Sequence, residues 1–139
     1  MEEMVKGTAF QEFDEGEKTL YAIVVDKVSD EGVVEQLTIR WARYPRWPHG
    51  NRYGDEVTIV FALPTLRIVW REFAYEWGGT FVRGLAEVTM KTDFQELPWW
   101  SDFGNLELDV RQHGVRQAIK WIIDYLHDLA QDLIPKFDQ

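Results

Sequence analysis

From Asp109 to Ile134 the apolar residues Val115, Ile119, Ile122, Leu126, Leu129 and Leu133 recur at intervals of three and four. That spacing places them on one stripe and predicts a single long amphipathic helix. Ile123, Ala130 and Ile134 widen the stripe, while Gln117, Lys120, Asp124, Asp128 and Gln131 fall on the opposite face. Asp109 and Gln112 have the spacing of a capping box, and Pro135 stops the run. A helix of roughly 22 residues spans about 33 Å, the width of a small domain, so the upstream strands are expected to pack along it.

Upstream the pattern changes from a helical period to alternation. Thr19 to Val28 is rich in β-branched and aromatic residues and reads as a strand; Ser29 to Gly32 is a tight turn. Val33 to Arg43 returns, with Val33, Leu37, Ile39 and Trp41 on one face, Gln36, Thr38 and Arg40 on the other, and Glu35 out of pattern. Tyr44 to Asp55 contains two prolines and two glycines, which predicts a loop of about a dozen residues, long enough to be functional or mobile. Glu56 to Leu63 resumes as a strand buried on both faces. Leu66 to Trp77 fits a helix, with Leu66, Val69, Trp70, Phe73 and Trp77 on one stripe, but its aromatic content favours a strand joined to Thr80–Met90 through Gly78 and Gly79. The hairpin reading puts Val69, Phe73, Tyr75 and Trp77 on the face of Val82, Gly84, Ala86, Val88 and Met90, with Arg71 as the misfit. Met1 to Phe13 is either a frayed end or a first edge strand. Lys91 to Asn105 is an irregular connection, and Leu106, Leu108 and Val110 suggest a short strand before the helix. The expected architecture is a single domain over residues 1–139 of the α+β class, an antiparallel β-meander of about five or six strands packed on one long C-terminal α-helix.

Composition narrows the chemistry. The 139 residues include no cysteine, which removes disulfides, thiolate metal sites and thiol catalysis together. Three scattered histidines argue against a metal site, and neither a secretory signal nor an apolar run of ~18 residues is visible, so a soluble cytoplasmic protein without a membrane span is expected. The net charge of -9 speaks against general affinity for double-stranded DNA. That charge is uneven: residues 1–36 hold ten acids against three bases, residues 37–54 hold four arginines and no acid, and residues 55–139 hold fourteen acids against eight bases.

The positive island is the clearest candidate site. Arg40, Arg43, Arg46 and Arg52 interleave with Trp41, Tyr44, Trp47, His49 and Tyr53. Guanidinium groups take phosphate or carboxylate through paired N–H donors and aromatic faces stack on planar rings, so the segment suits an anionic or planar ligand or an acidic protein surface. Packing of a proline-rich loop on its own sheet accounts for the same residues at least as well. Trp99 and Trp100 form a second candidate, as an interface, because two adjacent tryptophans in a loop do not easily share one small core. Asp124, His127 and Asp128 have residue types for acid–base work, but such a cluster is commoner as solvated helix surface. No nucleophile elbow, HExxH, P-loop or dinucleotide glycine motif is present, and no cofactor, metal or catalytic residue is expected.

The functional expectation is therefore a non-catalytic binding or regulatory protein acting through Arg40, Arg43, Tyr44, Arg46, Trp47, Arg52 and Tyr53. One alternative is an acidic inhibitor or immunity-type protein that blocks a basic partner enzyme. Another is a small-molecule carrier or enzyme with a pocket between sheet and helix. Architecture of this kind does not itself choose among them.

Overall fold

The computed structural model describes residues 7–14, 19–43, 52–76, 79–130, 133–135 and 137. Six strands run in chain order across one antiparallel sheet: β1 (Thr8–Asp14), β2 (Thr19–Val28), β3 (Val34–Arg43), β4 (Arg52–Ala62), β5 (Thr65–Glu76) and β6 (Gly79–Lys91). A short 3-10 turn, Trp99–Ser101, leads into α1 (Phe103–His113) and α2 (Val115–Ala130). The α+β meander is thus as expected, and Leu66–Trp77 is strand over Thr65–Glu76, because alternate residues Leu66 and Ile68 reach the core while β6 pairs alongside.

Alternation explains the core. Ile23, Val25, Leu37, Ile39, Val57, Ile59, Leu66 and Ile68 line the helix side of the sheet and are completely or almost completely buried against Leu106, Ala118, Ile119, Ile122, Ile123 and Leu126. Each such aliphatic side chain contributes roughly 1.5–3 kcal/mol relative to exposure, which makes this layer the main source of stability. Trp100 is fully enclosed, its ring 5.4 Å from Phe61 and 5.9 Å from Tyr125. At the other end of the helices Phe137 closes over Tyr21 and Trp41, at 5.8 and 5.4 Å.

Two bulges reset the alternation. Between β2 and β3 the register slips around Lys27, so Val34, and not Val33 or Glu35, turns into the core. The misfit at Glu35 is the sequence trace of that slip. Between β5 and β6 Trp70 faces Ala86 but Arg71 faces Gly84, leaving Leu85 as the extra residue. Ala86, Val88 and Met90 consequently share the side of Leu66, Ile68 and Trp70, whereas Val82 faces Phe73 and Val69 faces Glu87. The single apolar face expected for this hairpin is therefore divided between the two sides of the sheet.

Further expectations need correction. Arg52 to Asp55 belong to β4 and not to a loop, since Arg52 through Asp55 pair with Tyr75 through Glu72. Leu106 to Val110 is helical: Leu106 and Val110, four residues apart, turn inward, while Leu108 stays exposed. The long helix is two helices, broken at Gly114, whose φ of 92° favours glycine. Asp109 lies inside α1, and the helix is capped instead by Asp102, which accepts the Asn105 N–H at 3.0 Å.

The start of α2 is capped from far away. Glu12 of β1 accepts the Arg116 backbone N–H at 2.9 Å, satisfying a donor that the break at Gly114 leaves without a helical partner. A Cβ at Gly114 would stand 3.1 Å from the Glu12 carboxylate, so glycine keeps that approach open. The helical layer is also tied to the β2–β3 turn, where the Phe103 N–H donates to the Gly32 carbonyl at 3.0 Å and Val33 bridges Asp102. Among the described residues no helix is long and apolar enough to cross a membrane.

Candidate functional site

The arginine–aromatic segment straddles the ends of β3 and β4, where Arg43 faces Tyr53 in the register. Tyr44, Arg46 and Trp47 lie outside the described residues, as does His49, and for Arg43 and Arg52 the description covers the backbone alone. Strand alternation separates the remaining two. Arg40 alternates with the core residues Ile39 and Trp41 and so projects from the sheet face opposite the helices. Tyr53 shares the parity of Asp55 and Val57, which puts it on the helix side, 48% exposed. Nearness in sequence suggested one cluster; the sheet assigns its described members to two faces.

On the open face Arg40 belongs to a network that the sequence did not reveal. Its Nε and Nη2 donate to one oxygen of Glu56, at 3.1 and 2.7 Å. From β5, Arg71 reaches the other Glu56 oxygen at 3.4 Å and the Thr58 hydroxyl at 3.3 Å. Thr58 meets Thr38 at 3.3 Å, and Thr38 donates to Asp26 at 2.7 Å. Glu56 is buried, whereas the Arg40 and Arg71 side chains remain 48% and 32% exposed. Arg40 also lies 5.1 Å over the buried Phe73 ring, a cation–π distance. Phe73 can occupy that place because its cross-strand partner is Gly54: a Cβ there would meet Phe73 Cζ at 2.9 Å, Ala42 Cα at 2.7 Å and the Trp41 carbonyl oxygen. The one signal for Arg71 was its misfit in the apolar alternation of β5. A neighbouring pair, Arg67 and Glu87 at 2.6 Å, is exposed; Arg67 donates to Glu87 and holds its carboxyl below the ordinary range.

The helix side has a smaller polar group at the same end. Asp55 accepts the Trp70 indole N–H at 3.0 Å. Burial pushes the Asp55 carboxyl up, the Trp70 bond pulls it down, and the negative charge of Glu72 adds to the rise. Glu72 in turn pairs with the exposed Arg83 at 2.8 Å.

The tryptophan pair divides as well. Trp100 is core, whereas Trp99 is 40% exposed and stands edge to face with Trp121, ring centroids 6.2 Å apart. In the acidic cluster on α2, Asp124 pairs with Lys120 at 3.1 Å, and His127 Nε2 lies 3.2 Å from the Pro135 carbonyl. Among the described residues no group of three or more histidine, cysteine or acidic side chains could hold a metal ion. Comparison with protein-family models, with curated proteins and with solved structures gives no match.

Proposed function

We propose that the chain is a non-catalytic binding protein that takes an anionic ligand or an acidic partner surface on the open sheet face beside the Arg40–Tyr53 segment. The observation that carries this reading is the sharing of one buried carboxylate by two guanidiniums. Glu56 offsets one positive charge of the two it holds, and Arg40 Nη1 with Arg71 Nε and Nη2 makes no hydrogen bond among the described residues. Unspent donors in a fixed fork suit a phosphate or carboxylate. Arg52, two and four positions before Gly54 and Glu56 in β4, shares their face and would extend the surface. Calorimetric titration with hexaglutamate and with adenosine monophosphate tests this. Expected is salt-sensitive binding that Arg40→Ala, Arg71→Ala or Arg52→Ala weakens and Glu56→Gln strengthens. Absence of salt-sensitive binding to either probe, or indifference to all these variants, sinks the reading.

A second reading is an acidic protein that blocks a basic partner. It is favoured by the commitment of Arg40 to Glu56 and by the ten acids of residues 1–36. Here the arginine segment is dispensable and the carboxylates are not. The pocket reading ranks below both, because fully buried side chains occupy the space between sheet and helices.

A further inference from the structure

The outer surface of the helical layer carries a continuous strip that none of the sheet-face chemistry uses. Trp99 and Trp121, 40% and 36% exposed, meet edge to face, and the His113 ring follows at 5.2 Å from Trp121. One turn back on α1, Asp109 Oδ1 stands 3.9 Å from His113 Nε2. The other oxygen, Asp109 Oδ2, is shut off from solvent and has no hydrogen-bond partner. A carboxylate held in that way is only partly neutralised. The neighbouring cations do not supply the deficit, since Arg111 is bound to Glu107 and Lys120 to Asp124, each at 3.1 Å.

From this juxtaposition we infer that Trp99, Trp121, His113 and Asp109 form a contact site for a lysine or arginine side chain presented by a basic protein partner. Aromatic faces attract a cation through their quadrupole, and the partly neutralised carboxylate adds negative charge beside them. The choice of occupant rests on the acidic-partner reading above; the place rests on the strip alone. A protein, and not a free small cation, fits because the strip lies on the outside of two helices, where a small cation would leave both indole rings wet. A partner surface covers them, and partly exposed tryptophan is the residue type that concentrates binding energy in such contacts. The net charge of -9 draws a basic partner toward the whole molecule, and the strip then fixes where it docks.

The test is a titration of 15N-labelled protein with hexa-arginine and, separately, with tetramethylammonium chloride, followed at the indole N–H resonances. Expected is saturable movement of the Trp99 and Trp121 signals by hexa-arginine with the Trp100 signal still. Asp109→Asn, Trp121→Gln and Trp99→Gln should each weaken binding about tenfold while thermal unfolding stays cooperative. Arg40→Ala on the opposite face should leave binding unchanged. Equal weakening by Asp30→Asn with Glu31→Gln, in the exposed β2–β3 turn, would show recognition of net charge alone; the strip would be overturned and the acidic reading kept. No binding of hexa-arginine would overturn both. Tetramethylammonium binding as tightly as the peptide would overturn the protein partner in favour of a small cation.

Discussion

Replacing Gly54 with alanine adds one methyl group and should cost the fold about 3 kcal/mol. The added carbon would meet Ala42 Cα at 2.7 Å and, closer still, the Trp41 carbonyl oxygen, both backbone atoms of the adjacent strand, as well as Phe73 Cζ at 2.9 Å. Overpacking a filled site costs roughly 1–3 kcal/mol when side chains can yield, and the upper end applies here because two of the three obstacles yield only if β3 moves from β4. Gly84 supplies the control, since a Cβ there meets nothing within 4 Å; Gly84→Ala in β6 should be neutral or stabilising by up to ~1 kcal/mol through the loss of glycine's unfolded-state freedom. Thermal unfolding of both variants, with a fall in melting temperature of roughly 10 °C expected for Gly54→Ala, makes the comparison. Phe73→Leu combined with Gly54→Ala separates ring from backbone. If the double variant recovers the stability of Phe73→Leu alone, the ring was the obstacle and the backbone argument fails. If Gly54→Ala behaves like Gly84→Ala, the close approach of β3, β4 and Phe73 is refuted, and with it the support beneath Arg40.

Ile122→Ala and Leu126→Ala, both at fully buried positions of α2, should each lose about 2–5 kcal/mol, whereas Lys120→Ala and Asp124→Ala should change stability by less than about 0.5 kcal/mol; urea midpoints check all four. Glu12→Ala removes the cap of α2 and should cost ~1 kcal/mol, with Glu12→Gln retaining an acceptor and losing less; amide exchange at Arg116 should accelerate in the alanine variant before global stability fails. The raised Asp55 pKa means that the folded state binds a proton more readily than the unfolded chain. Its ionised form therefore detracts from stability above the folded pKa, and that loss is relieved as pH falls toward the unfolded value. Asp55→Asn, which keeps an acceptor for Trp70, should stabilise at pH 7 with a gain that disappears in acid; a gain independent of pH, or a loss at pH 7, contradicts the assignment.

Legibility in the sequence followed the range of the interaction responsible. The stripe of Ile119, Ile122 and Leu126 is a local period, and the helix it implies is present. The break at Gly114 was hidden because the group that caps α2 comes from β1, far outside any helical window. The hairpin of β5 and β6 was readable from aromatic content, but the bulge at Leu85 was not, since a bulge leaves no fixed composition and instead exchanges which residues face inward. Residues that broke the alternation proved informative: Glu35 marks a register slip, and Arg71 marks the network around Glu56. Grouping Arg40 with Tyr53 failed for the simplest reason, the period of two that sends their side chains to opposite faces.

The bond between Glu12 and the start of α2 can form only late in synthesis. Its two partners are 104 residues apart, so at roughly 5–20 residues per second the ribosome makes the carboxylate on the order of 5–20 s before the amide it will cap. During that interval β1 can pair with β2, but the sheet's first edge has no helix to lean on, and Phe10 still lacks Phe103 of α1, the ring it meets at 6.3 Å.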